Sequence, residues 1–222
     1  MDNFRFIFDD PDDFIQREMM QGHFFEEEEL KNVSTLLNKD STILDVGAHI
    51  GSHTIYWSKI TKVKLVYAVE PILRAYKMLL ANLALNYCHN VNVDYIGLAL
   101  GKKHETRYAS QNFENNLGST SLVSKSFDSQ REQITVVPGD VLFADKAIDF
   151  IKIDVEKMEL DVLDGLKNTI QKNKPIIFIE VQDENKNDFQ LWMAENDYRF
   201  GDIVLDNKKN KGYFENLVVF PK

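Results

Sequence analysis

Between residues 42 and 181, short apolar runs take turns with stretches of helical period. Apolar runs at 42–46, 65–69, 91–96, 148–154 and 175–181 are strand-sized, and the segments 52–60, 73–86 and 159–170 carry helical spacing. Strands that alternate with helices pack as a mostly parallel sheet covered on both faces. The right-handed crossover rule makes that sheet doubly wound, so the pattern predicts an α/β Rossmann-like fold. A helix at 185–196 and runs at 199–205 and 216–220, separated by the polar stretch 206–212, predict a C-terminal antiparallel hairpin on that sheet.

The first forty residues follow a different pattern. Residues 4–8 read as a short strand, Asp10-Pro11 opens a helix through Met20, Gly22 breaks it, and 25–37 reads as a second, amphipathic helix. The Glu26–Glu29 cluster fits a solvated face near the positive helix end. A length of 222 residues suits one core, so the expected organisation is a single domain, with residues 1–40 as a helical cap and 41–222 as the Rossmann-like core. The stretch 101–140 is polar, rich in Ser, Asn and Gln, and is expected to be an excursion with short strands.

Charge narrows the function classes. With 26 Lys and Arg against 35 Asp and Glu, the formal net charge is −9, which opposes a broad surface for nucleic acid or anionic membrane. A local patch from Arg74, Lys77, Lys102, Lys103 and Arg107 reads as solvated helix and loop charge. The single cysteine, Cys88, makes no internal disulfide and no multi-thiolate metal site, in keeping with a reducing compartment. No basic n-region followed by an apolar stretch opens the sequence, and no run reaches bilayer-spanning length, so the expected location is cytoplasmic.

The most informative segment is Ile43-Leu44-Asp45-Val46-Gly47-Ala48-His49-Ile50-Gly51, an apolar strand that ends in a glycine-bearing turn and leads into a helix. Glycines there let backbone approach a ligand at the carboxyl edge of the sheet. The spacing Asp-x-Gly-x-x-x-Gly departs from the pyrophosphate cradle of dinucleotide enzymes. It suits a cofactor with an amino acid and a ribose but no phosphate, such as S-adenosylmethionine. In that reading Asp45 faces a cationic amine, and Glu70, at the end of Tyr67-Ala68-Val69-Glu70-Pro71, accepts from ribose hydroxyls. Helix capping is the competing role for both acids, and a backbone-bonding turn residue is the competing role for His49.

In Ile151-Lys152-Ile153-Asp154-Val155-Glu156, period-2 alternation puts Lys152, Asp154 and Glu156 on one side of a strand that is otherwise apolar. Buried charge needs a partner, and Glu180 or Glu156 is expected to pair with Lys152, leaving Asp154 at the cofactor edge. A purely structural ion-pair network is the alternative.

These segments, in this order, with Ile179-Glu180-Val181, Ala99-Leu100-Gly101, Gly118-Ser119-Thr120 and Asn216-Leu217, resemble the FkbM-type S-adenosylmethionine-dependent methyltransferases over most of residues 5–220. The resemblance implies O-methylation of a hydroxyl on a sugar or similar small metabolite. It carries cofactor contacts onto Asp45, Gly47, Ala48, Gly51, Glu70, Pro71, Ala99 and Asp154. Asp154 or Glu156 is the expected general base, with His49 or His53 in reserve. No residue is assigned to a metal, although Asp154, Glu156 and Glu180 offer hard oxygen ligands for a divalent cation. The sequence departs from the family at Glu156-Lys157-Met158-Glu159, where Gly usually follows Val-Glu; a methyltransferase-fold binding module without transfer activity is therefore the rival reading. Acceptor and oligomeric state stay open.

Overall fold

The computed structural model describes residues 4–125, 130–201, 203, 205 and 214–222. Its larger sheet is built from β1 (Thr42–Val46), β2 (Leu65–Val69), β3 (Val91–Asn92), β8 (Phe150–Ile153), β9 (Ile176–Gln182), β10 (Tyr198–Phe200) and β11 (Phe214–Pro221), in the order β10-β11-β9-β8-β1-β2-β3. The strands from β9 to β3 run parallel, and β11 lies antiparallel between β9 and β10. This is the doubly wound sheet with a C-terminal antiparallel pair that the sequence pattern predicts. The tip of that hairpin, 206–212, lies outside the described residues.

Alternation along each strand sends side chains into two apolar layers. Leu44, Val46, Ile151, Ile153, Ile177 and Ile179 pack with Val162 and Leu163 of α6 (Glu159–Gly165) and Phe189 of α8 (Lys186–Glu195). Ile43, Val66, Ala68, Phe150 and Phe178 pack on the opposite face with Ile55 of α3 (Ser52–Tyr56), with Trp57, and with Leu79 and Leu83 of α4 (Leu73–Leu85).

Several elements are shorter than their periodicity predicts. The helix expected over 52–60 is α3 followed by a π-helical turn, Trp57–Thr61. The one expected over 159–170 divides at Leu166 into α6 and α7 (Lys167–Asn173). β3 stops after Asn92 because the Asn92 side chain accepts from Asp94 N and starts a turn. The excursion forms a second sheet of β4 (Leu98–Gly101), β5 (Glu105–Gln111), β6 (Thr120–Val123) and β7 (Gln133–Pro138), in the order β4-β7-β5-β6.

Residues 4–8 are not a strand. Arg5 N and Ile7 N donate to the side-chain oxygens of Asn86 and Asn82, and Phe4 and Phe6 pack edge-on against Phe24. The backbone N–H groups a strand would give to a neighbour are met by two carboxamides at i, i+4 on α4 and its cap. The N-terminal helices are α1 (Phe14–Met20) and α2 (Glu27–Ser34). Asp13 caps α1 through Gln16 N, and its other carboxylate oxygen accepts from Leu117 N at 2.7 Å, while Phe14 N donates to Asn115 O. α1 is thus tied to the excursion.

Candidate active site

The carboxyl ends of β1, β2 and β8 open onto a cavity of ≈ 260 Å³. Gly47, Glu70, Asp154, Glu156 and Glu180 form its floor and sides, and Ile15, Phe25 and Leu117 lie over it. Crevices of this kind at strand ends are where open α/β sheets bind ligands.

The turn after β1 needs glycine. Gly47 has φ 85°, and a Cβ there would run into the carbonyl of Asp154. Gly47 N and Ala48 N both donate to Val69 O, which draws the turn against the end of β2. Gly51 has φ 93° and caps α3. It does not line the cavity, whereas Gly47, Ala48, His49, Pro71 and Ala99 do.

Glu70 faces the cavity with its carboxylate fixed by two backbone donors, His49 N at 2.9 Å and Ile72 N at 2.8 Å. Burial raises its pKa to about 7 against the pull of those donors. Each carboxylate oxygen keeps a lone pair for a further donor.

Asp45 lies beneath the cavity and is not part of its lining. It accepts from Thr54 Oγ1 at 2.5 Å and sits 3.5 Å from Lys152 Nζ. Lys152 does line the cavity; its ammonium donates to Gly47 O at 2.6 Å and lies 3.3 Å from Asp154. The partners of Lys152 are therefore Asp45 and Asp154, in place of the expected Glu180 or Glu156. The cause is register: Lys152 stands opposite Asp45 on one side and Phe178 on the other. Burial pulls the Lys152 pKa down, but Asp154 and Asp45 outweigh it and the net shift is upward.

Glu156 and Lys157 are both left-handed, with φ 47° and 77°. A usual glycine after Val-Glu is intelligible at such a position, because only glycine takes that backbone conformation without cost. The buried Glu159 carboxylate steadies the turn, accepting from Lys157 N and from Asn185. Burial, with Asp154 adding repulsion, raises the Glu156 pKa to about 7. Burial and Asp154 also hold Glu180 well above the ordinary carboxylate range.

Both histidines are neutral at neutral pH. Burial lowers His49 to about 4 and His53 to about 3. No ring nitrogen of His53 makes a hydrogen bond, and its Nε2 lies 3.4 Å from Glu26. A base with such a low pKa is a poor match to neutral solution.

Glu26 is the residue that sequence reasoning placed wrongly. The run Glu27–Glu29 opens α2, but Glu26 precedes it with φ 54° and turns into the cavity wall, where Asn216 Nδ2 donates to it at 3.0 Å. Burial, with Asp154 adding to it, raises its pKa to about 7. The only earlier signal was its place at the head of an acidic helix turn, which a solvated face explains equally well.

Among the described residues, no group of three or more His, Cys, Asp or Glu side chains is arranged to hold a metal ion. No described helix is long and apolar enough to cross a membrane.

Comparison with known proteins adds family-level information. Residues 45–200 match the model of the methyltransferase FkbM domain. In the crystal structure of methyltransferase FkbM from Methylobacillus flagellatus, the match has a TM-score of 0.60 and 22% identity, covering 83% of this chain and 44% of that one. The AMB antimetabolite synthetase AmbE of Pseudomonas aeruginosa is 26% identical over 205 residues, 76% of this chain and 10% of that protein. A tRNA(Phe) (4-demethylwyosine(37)-C(7)) aminocarboxypropyltransferase of Methanocaldococcus jannaschii is 41% identical over 64 residues, 29% of this chain and 26% of that protein. The chain thus spans about a tenth and a quarter of the length of these two relatives.

Proposed function

The chain belongs to the methyltransferase FkbM family, and from that premise we propose that its cavity binds S-adenosylmethionine and directs a methyl group to a hydroxyl oxygen of a small polar acceptor, such as a sugar. One observation carries the reading: the Glu70 carboxylate, fixed by two backbone N–H groups, faces a cavity floored by the Gly47 turn. A carboxylate held this way matches a vicinal diol and opposes a phosphate.

When bound, S-adenosylmethionine supplies a methyl group on a sulfonium centre. Gly47, Ala48 and Pro71 give the adenosine close backbone and flat apolar surface, and Glu70 accepts from the ribose. Asp154, held by Lys152, lends negative charge to the cationic end of the cofactor. Asp45 contributes at one remove, by holding Lys152. Glu156 is the proposed base: its pKa of about 7 suits it to take the acceptor's hydroxyl proton near neutral pH. Ile15, Phe25 and Leu117 exclude water from the site. The carboxyl-rich wall disfavours a phosphate-bearing acceptor, and so a nucleic acid.

The test is calorimetric titration with S-adenosylhomocysteine, followed by assay of methyl transfer from methyl-labelled S-adenosylmethionine to a panel of neutral, amino and acidic sugars. Saturable binding and labelled product support the reading. Binding without transfer to any member favours the binding-module alternative, and absence of binding removes both.

A further inference from the structure

Glu26, His53, Lys152, Asp154 and Glu180 all line the cavity, and they meet Phe178 and Asn216 behind its wall around a crevice too narrow for a water molecule. Charge is unevenly distributed there. Lys152 is already engaged by Gly47 O, Asp45 and Asp154. Among the described residues, no Lys or Arg lies within ion-pair distance of Glu26 or Glu180. Lys152 balances Asp45, and the single net positive charge of S-adenosylmethionine balances Asp154, which leaves Glu26, Glu70, Glu156 and Glu180 without a counter-charge; of these, Glu70 is assigned to the ribose and Glu156 to the acceptor hydroxyl, so Glu26 and Glu180 have no assigned partner.

His53 gives a second, independent pointer to a ligand. It is 7% exposed and lines the cavity, and neither ring nitrogen makes a well-directed hydrogen bond, Nε2 lying 3.4 Å from Glu26. A buried imidazole left this way has unmet hydrogen-bonding capacity. Glu26 is held in place by Asn216, and Glu180 by Gln182, whose Nε2 donates to it at 3.1 Å. The two carboxyls are therefore positioned by neutral amide donors.

Resting on the proposed methyl transfer, we propose that the acceptor carries a protonated amine besides its reacting hydroxyl, and that Glu26 and Glu180, with His53 as hydrogen-bond acceptor, form the subsite that takes the ammonium. The acceptor class is an amino sugar or aminocyclitol. An ammonium has three donors and suits two carboxylates and an imidazole nitrogen. A neutral polyol would leave both carboxyls either uncompensated or protonated, and an acidic sugar would be repelled.

The probe is glucosamine, titrated calorimetrically into the full chain saturated with S-adenosylhomocysteine, beside glucose and glucuronate. Glucosamine is expected to bind at least about tenfold more tightly than glucose, the equivalent of about 1.4 kcal/mol, with glucuronate weakest. In E180Q and in E26Q that preference is expected to shrink severalfold, and retained S-adenosylhomocysteine binding reports that each variant is folded. Absence of saturable glucosamine binding, equal or tighter binding of glucose or glucuronate, or an unchanged preference in both variants overturns the proposal. Failure of the cofactor reading is separate: S-adenosylhomocysteine would then not bind the unaltered chain, whatever the sugars do.

Discussion

Asp45 and Lys152 stand opposite one another on adjacent parallel strands, their charged groups 3.5 Å apart and both side chains buried in an otherwise apolar face of the sheet. Lys152 then reaches past the strand end to Gly47 O and Asp154, so one ammonium joins the buried acid to the cavity floor.

Lys152→Met leaves Asp45 buried without its counter-charge. Breaking one partner of such a pair costs about 3–5 kcal/mol. Denaturant unfolding should show a loss of that size, and the double variant D45N/K152M should recover part of it. A loss below about 1 kcal/mol in K152M would show that the pair carries little of the fold's stability.

Glu70→Gln keeps the shape and one acceptor but loses the charge. Hydrogen bonds to a charged group are worth about 1.5–3 kcal/mol, so S-adenosylhomocysteine affinity should fall about 10- to 100-fold. Calorimetry on the variant, with its melting temperature as a control for folding, decides the point. Unchanged affinity would move the ribose elsewhere.

Stability of the unliganded protein should fall as pH rises from about 6.5 to 8. Glu26, Glu70 and Glu156 have folded pKa values of about 7, above their usual 4.5. For such raised groups the stabilisation is complete below the unfolded value and is lost as pH rises through the folded one. His49 and His53 are lowered, to about 4 and about 3, so their contribution is present above their usual 6.5 and opposes the carboxyls only at lower pH. Thermal melts across this range check the sign, and E70Q should flatten the slope; a rising melting temperature would contradict it.

Asp13→Ala removes a helix cap and the acceptor of the buried Leu117 N–H together. Caps of this kind contribute about 0.5–2 kcal/mol and an orphaned buried donor costs about 1–3 kcal/mol. The variant should lose stability measurably in urea and weaken S-adenosylhomocysteine binding, because α1 and the Leu117 segment both cover the cavity. Full stability in urea would count against the tie.

Lys157→Gly should not destabilise the fold, and Lys157→Val should. Holding a non-glycine residue at φ 77° costs about 1 kcal/mol, more for a β-branched side chain. Comparing the two melting temperatures tests this, and a stable valine variant would show that the turn relaxes freely.

Much of the site could be read from strand ends. Glu70 and the Gly47 turn follow directly from where apolar runs stop, and both line the cavity. The partner of Lys152 could not be read this way, because alternation says which side of a strand a residue takes but not which residue on the next strand lies opposite. Asp45 illustrates the same gap: its strand-end position is visible in the sequence, while its place beneath the cavity depends on Thr54 and Lys152 closing over it. Glu26 was hidden for a conformational reason. Three glutamates after it form an ordinary helix turn, and a single left-handed residue ahead of them reverses its direction. Residues 4–8 mimic a strand in composition, yet their hydrogen bonds go to Asn82 and Asn86, side chains 75 and 81 positions away.

The link from Asp13 to Leu117 spans 104 positions. Closing so long a loop is slow compared with forming local helix contacts. During synthesis α1 emerges before every strand of the sheet, yet its anchor exists only once the segment around Leu117 has been made and folded. The roof over the cavity is therefore expected to fold late, and Ile15, which packs on Gly118, meets that neighbour only when the excursion has folded.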